Sequence, residues 1–308
     1  MSDIFEELQW RGLVAQTTGE AALREALRDG PLTAYCGFDP TAPSLHFGNL
    51  VQLVMLRHLQ RAGHRVIVLV GGSTGLIGDP KPTSERILKT KEHTAANVAR
   101  IKELVRPFVD FEGDNPALLV DNLDWTAPLS ALDFLRDVGQ HFRVNQMIRK
   151  EAVAARLESA EGISYTEFSY QILQAMDFLH LYREHGCTLQ TGGQDQWGNL
   201  IAGVDLVHRV EGASVHVMTT PLLRNASLDE RHGIPCAGAV PAARRSPPPR
   251  SAFSQAGRAP SIGVDILSAD TSKPRHRALD MTLRQSNGTS DARPAHRSQR
   301  AAWHDGGD

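Results

Sequence analysis

Cysteine is scarce. Cys36, Cys187 and Cys236 are the whole complement of 308 residues, and no two form a CxxC pair or stand at metal-ligand spacing. That excludes a disulfide-stapled secreted scaffold, gives no metal site to expect, and fits a reduced cytoplasmic setting. No apolar run approaches the ~20 residues that a membrane span needs, so no membrane partner is expected. The first ten residues, MSDIFEELQW, have neither the basic region nor the apolar segment of an export signal. The glycine-rich stretch GGSTGLIGDP, residues 71–80, contains no GxGxxG and no Walker lysine, so it is not a standard dinucleotide or P-loop signature. No internal repeat is visible.

What is there reads as a globular chain of at most two domains, with 41% hydrophobic and 22% charged residues. The net charge of −2 hides a split. Residues 1–223 carry 20 Lys and Arg against 27 Asp and Glu, whereas residues 224–308 carry 13 against 8. A basic half raises the prospect of a nucleic-acid partner.

Strand and helix signals alternate through residue 223. Helices are expected at Glu20–Arg28, Leu50–Gln60, Lys91–Phe108, Leu129–Val138, Lys150–Leu157, Glu167–Tyr182 and Leu200–His208. Strands are expected at Thr33–Phe38, His64–Val70, Ala117–Val120, Cys187–Thr191 and Val215–Thr219. This order predicts an α/β fold, a Rossmann-like parallel sheet with helices on both faces, whose ligands bind beyond the carboxyl ends of the strands. From Arg224 onward the pattern stops. Runs such as VPAARRSPPPRSAF have neither period, and 12 arginines accompany a single lysine. Residues 1–223 are therefore read as the catalytic domain and 224–308 as an irregular Arg/Pro-rich tail, disordered or out of frame.

Four segments carry candidate chemistry. In TAYCGFDPTAPSLHFGN, residues 33–49, a strand ends in a loop that opens a helix, where free amides favour a polyphosphate. His46 stands at its mouth, and Gly48 allows close approach; Asn49 reads equally as an ordinary cap. In GGSTGLIGDP, Asp79 could take a cationic amine, or the glycines could simply form a tight turn. In TEFSYQILQAMDFLHLY, Tyr170, Gln174 and Asp177 fall within one 60° arc hemmed by apolar side chains. A carboxylate there needs a partner, and a ligand hydroxyl or amine would serve. In LQTGGQDQWGN, Asp195 could accept from both hydroxyls of a ribose and Gln196 could donate to a phosphate or carboxylate; helix capping by Asp195 or Asn199 is the alternative.

Together these segments resemble the bacterial tyrosyl-tRNA synthetases of class I, over roughly residues 1–223. YCGFDPTAPSLHFGN is similar to the class I signature in its tyrosyl form, SYTEFSYQILQAMDFLHLY to the tyrosyl-specific helix and TGGQDQWGN to the segment after it; HFRVNQM and GLIGDP fit as well. The resemblance implies an enzyme that joins tyrosine to ATP, presented with Mg²⁺ as substrate and with no tightly bound cofactor, and passes it to tRNA(Tyr). It also implies a homodimer. It places Tyr35 and Asp177 on the phenolic hydroxyl of tyrosine, and Asp79, Tyr170 and Gln174 on its ammonium group. Cys36 and Asp195 would contact the ribose, and Gly37, Asp39, Gly48 and Gly193 would line the adenylate site. Thr41 and His46 would contact the phosphates and Gln196 the α-phosphate or carboxylate, with Asn49 in place of the second histidine of the HIGH signature.

The family's second signature, a KMSKS-like lysine loop, has no counterpart. RNASLDERHGIPCAGAV follows the expected last strand, and no lysine occurs between Lys150 and Lys273. Residues after about 223 read as translated out of frame, the alternative being a diverged tail whose arginines bind RNA. The readings that compete with a ligase are a catalytically weak tyrosine- or RNA-binding module on the same fold, and a small-molecule nucleotidyltransferase, which the tyrosine-type helix argues against.

Overall fold

A computed structural model describes residues 3–223; the reading of 224–308 as an irregular tail lies outside the described residues. In chain order the helices are α1 (Ile4–Trp10), α2 (Glu20–Arg28), α3 (Phe47–Arg61), α4 (Thr74–Ile77), α5 (Lys91–Val105), α6 (Leu123–Thr126), α7 (Ala131–Asp133), α8 (Val144–Met147), α9 (Glu151–Leu157), α10 (Tyr165–His185) and α11 (Trp197–Glu211). The strands are β1 (Gln16–Thr17), β2 (Thr33–Phe38), β3 (Arg65–Val70), β4 (Leu118–Asp121), β5 (Cys187–Gly193) and β6 (His216–Thr220). They form one sheet in the order β1-β6-β5-β2-β3-β4.

Strands β2 to β6 are mutually parallel, and β1 pairs antiparallel with β6 through Gln16–Thr219 and Thr17–Met218. The expectation of an all-parallel sheet therefore needs correction at one edge. Two residues are too short a run to announce a strand by alternation.

Strands β2 and β3 are mostly apolar because both their faces are covered. Along β2, Ala34, Cys36 and Phe38 point into a core shared with α1, α2, α3 and α5, as do Val66, Val68 and Val70 of β3. The intervening Tyr35, Ile67 and Leu69 point into a second core, built with α10 and α11. One period-2 alternation thus feeds two cores.

Several ends moved for identifiable reasons. Helix α3 begins three residues earlier than expected because His46 caps it: His46 Nδ1 accepts from the Asn49 amide, and Asn49 Oδ1 accepts from the His46 amide. Helix α5 stops at Val105, two residues short of Pro107, which has no amide to continue the ladder. The expected helix 129–138 starts at Ala131, where Ser130 Oγ accepts from the Asp133 amide, and then widens into a π-helical turn at Phe134–Val138. Nothing in the neighbouring residues explains that widening.

Chain order along the sheet reverses between β2 and β5: β3 and β4 extend one way, β5 and β6 the other. A crevice opens outside the carboxyl ends of the strands at such a reversal.

Candidate active site

The crevice is there, as a cavity of about 460 Å³. β2 contributes Tyr35, Cys36 and Gly37, and the loop and helix that follow add Asp39, Thr41, His46, Gly48 and Asn49. Asp79 enters from the turn after α4, and α10 turns Tyr170, Gln174 and Asp177 toward it. β5 and the start of α11 add Gly193, Asp195 and Gln196. All the residues singled out in the sequence therefore line one space. Arg86, Gln52, Thr74, Gln190 and Thr191, which the sequence did not single out, line it too.

Asp177 is 2% exposed and points away from bulk water. Asn122 Nδ2 donates to its Oδ2 (2.9 Å) and Trp125 Nε1 to its Oδ1 (3.0 Å). The sequence foresaw a partner for this carboxylate and offered a ligand; the protein supplies two partners of its own. Burial nevertheless dominates and raises its pKa to about 8, against the lowering effect of Asn122 and Trp125. Trp125 is itself braced by stacking on His180. Both donors sit at the carboxyl end of β4, a position that the crevice rule marks as informative.

Beside Asp177, the Tyr35 hydroxyl is buried without any partner, and its ring tilts against Phe178. Burial first, and the Asp177 charge second, hold that phenol well above its ordinary pKa. Gln174 Oε1 and Gln190 Oε1 are also buried and unpartnered. Unpaired buried polar groups are costly, roughly 1–3 kcal/mol each, and are accounted for most simply by a ligand.

Asp39 differs from expectation in its contacts. It lines the cavity, yet its oxygens are taken by Thr74 Oγ1 (2.6 Å) and by the Tyr170 hydroxyl (2.8 Å). Burial raises its pKa to about 6, the two hydrogen bonds working the other way. Its visible work is to aim Tyr170. Asp79 is likewise occupied: Lys150 Nζ (2.9 Å) and Asn199 Nδ2 (3.1 Å) reach Oδ1, and Gln196 Nε2 (3.2 Å) reaches Oδ2. Lys150 also donates to Asn199 Oδ1, so the lysine stands where a substrate amine was expected. Neither Asp195 nor Asn199 caps α11; Asp195 accepts from Gln196 Nε2 instead.

At the other mouth, the Nδ1 of His46 is used as an acceptor, so its donor is Nε2–H. Gly48 makes room for this arrangement, since a Cβ there would meet the imidazole at 3.0 Å and the ring would have to shift by a few tenths of an ångström. The Cys36 thiol is raised to about 12 by burial, so it is neutral. It donates weakly to Gln52 Oε1, while Gln52 Nε2 reaches Thr220 Oγ1 (2.6 Å) and ties β6 to the crevice.

The family profile "tRNA synthetases class I (W and Y)" matches residues 27–229. The chain belongs to that family. Among the curated class I synthetases, the tyrosine–tRNA ligase of Streptomyces coelicolor is 64% identical over 227 residues, 73% of this chain and 54% of the relative. That of Leifsonia xyli is 63% identical over 224 residues, 73% of this chain and 51% of the relative. The chain thus spans about half the length of the curated relatives it matches. Among solved synthetases, a C-terminally truncated mitochondrial tyrosyl-tRNA synthetase of Aspergillus nidulans superposes with a TM-score of 0.66 at 28% identity, over 73% of this chain and 70% of that one. The tyrosyl-tRNA synthetase of Archaeoglobus fulgidus, solved with L-tyrosine, gives 0.56 at 21% identity, over 72% and 65%, and so shares the fold.

Proposed function

We propose that residues 1–223 are the catalytic domain of a tyrosine–tRNA ligase, which activates tyrosine with Mg·ATP to tyrosyl-adenylate and passes it to tRNA(Tyr). The observation that carries this reading is the pairing of an orphaned Tyr35 hydroxyl with a buried Asp177 carboxylate on one cavity wall. A phenolic hydroxyl placed between them accepts from one and donates to the other. A phenylalanine leaves the Tyr35 hydroxyl unpaired and brings Asp177 no further hydrogen bond.

The residues divide the work by chemistry. Tyr170 and Gln174 face the amine end of the substrate, and Asp79 supplies charge there once Lys150 shares or yields it. Cys36, Gly37, Gly193 and Asp195 border the ribose and adenine, with Asp39 holding Tyr170 in place. Thr41, His46, Asn49 and Gly48 form the phosphate mouth at the start of α3, and Gln196 bridges toward the α-phosphate. The tyrosine carboxylate attacks the α-phosphorus and pyrophosphate departs with its Mg²⁺. No proton has to move onto the leaving group, so positioning and charge stabilisation are the whole task. The relatives' names support tRNA as the partner, and the family resemblance implies a cytoplasmic homodimer; no helix among the described residues is long and apolar enough to cross a membrane.

ATP–pyrophosphate exchange against a panel of amino acids, run beside equilibrium dialysis with tyrosine and phenylalanine, tests the assignment. Tyrosine is expected to bind saturably and at least tenfold better than phenylalanine, a difference of about 1.4 kcal/mol. Equal binding of the two overturns it.

A further inference from the structure

Between Gly78 and α5 the chain crosses the cavity mouth as a long segment without helix or strand, most of it exposed. Loops of this length inside a compact domain usually act in function. Two residues far along the chain reach into it. Glu167 is the third residue after Ser164, the N-cap of α10, where a glutamate commonly bonds back to the cap's own amide. Here it turns away. Its Oε1 accepts from the Arg86 amide (2.8 Å), and its Oε2 pairs with Arg156 Nη1 at 3.0 Å. Arg156, on α9, donates further to the carbonyls of Ser84 (2.8 Å), Lys81 (3.4 Å) and Gly162 (3.0 Å). Both residues are 1% exposed.

A fully buried ion pair is poor evidence of stabilisation, because desolvation offsets most of the attraction and an apolar pair often serves as well. What this pair does is geometric. It fixes Lys81, Ser84 and Arg86 to α9 and α10. From that anchor the Arg86 side chain lies over Gly78, where a Cβ would meet its Cγ at 3.2 Å, donates through Nε to the Asp79 carbonyl (2.7 Å), and lines the cavity. At the far end of the loop, Lys89 donates to the Thr41 carbonyl, so the loop joins the phosphate mouth.

We infer that Arg156 and Glu167 are positioning residues whose buried pair staples the 81–89 loop and thereby sets where Arg86 stands beside the nucleotide. This rests on the reading of the cavity as an ATP site. The pair touches no substrate. Its effect falls mainly on the nucleotide end, because the phenol end of the tyrosine pocket is built by Tyr35, Asn122, Trp125 and Asp177 without it.

The test uses the full chain, Glu167→Gln and the double variant Arg156→Met/Glu167→Leu, which removes the charges together and leaves no buried ion alone. Dialysis with Mg·ATP and with tyrosine separates the two ends of the site. Tryptic cleavage at the Arg86–Ile87 and Lys89–Thr90 bonds, read by mass spectrometry, reports the loop. In the folded double variant, Mg·ATP affinity falls about tenfold or more, tyrosine affinity holds, and cleavage of both bonds accelerates. Unchanged nucleotide affinity and cleavage in that variant overturn the inference, as does an equal loss at both ends of the site. If the parent chain itself binds no tyrosine or ATP, the reading of the cavity falls; loop cleavage then still decides whether the pair is a staple.

Discussion

Tyr35 holds a cost and a benefit in one atom. Its hydroxyl is buried and unsatisfied, so Tyr35→Phe is expected to raise the unfolding free energy by about 1 kcal/mol. The same change removes a donor to the substrate phenol and should weaken tyrosine binding roughly tenfold while leaving phenylalanine binding alone. Urea unfolding and dialysis on one preparation check both signs; a destabilised variant with unchanged tyrosine affinity contradicts the site. Asp177 gives a second residue-scale prediction. Its folded pKa, about 8, lies above the unfolded carboxylate value. From about pH 4 to 8 the unfolded chain releases this proton and the native chain keeps it, so each pH unit lowers the contribution to stability, by at most about 1.4 kcal/mol. The stability advantage of the parent over Asp177→Asn should therefore be larger at pH 5 than at pH 8. A difference that does not move with pH refutes it. The polar stripe of Tyr170, Gln174 and Asp177 was legible in the sequence because a helix has a fixed period. Asn122 and Trp125 were not, since they reach Asp177 from a different element, and Lys150 on Asp79 was hidden in the same way.

At the level of elements, helix α4 shows what the glycine-rich turn is for. The sequence offered GGSTGLIGDP as a place of close approach without saying to what. The neighbour is Pro40: a Cβ on Gly75 would stand 2.6 Å from both Cγ and Cδ of its ring, which has nowhere to swing. Gly75→Ala improves helix propensity by up to about 1 kcal/mol, yet overpacking of this kind costs about 1–3 kcal/mol. A net loss of stability is expected, together with poorer binding, because Thr74 next door holds Asp39 and through it Tyr170. A thermally stabilised Gly75→Ala variant would show that α4 can move off Pro40. The strands β2 and β3 were readable because both their faces are apolar. The two-residue β1 and the short α6 and α8 were not, being too brief to display a period. Their existence depends on what they pack against.

For the molecule as a whole, the crevice lies at the reversal of strand order between β2 and β5; the alternation of elements in the sequence pointed to the carboxyl ends of the strands, but not to which pair of strands the order reverses between. What the order cannot show is the charge balance that the assembled walls present. Asp39, Asp79, Asp177 and Asp195 all line the cavity, whereas the cationic side chain among the described lining residues is Arg86. An amino acid with an ammonium group suits such a wall. A triphosphate does not, even with Mg²⁺, unless more positive charge is brought to the leaving pyrophosphate; the family resemblance implies a lysine loop for that task, and no lysine lies between Lys150 and Lys273 here. The 308-residue chain is therefore expected to bind tyrosine saturably and to catalyse pyrophosphate exchange poorly. The deficit should be larger in turnover than in tyrosine affinity, because the missing charge acts on the leaving group as it departs. Exchange by this chain at a rate matching that of the Streptomyces coelicolor relative, measured side by side, would mean that Arg86 suffices.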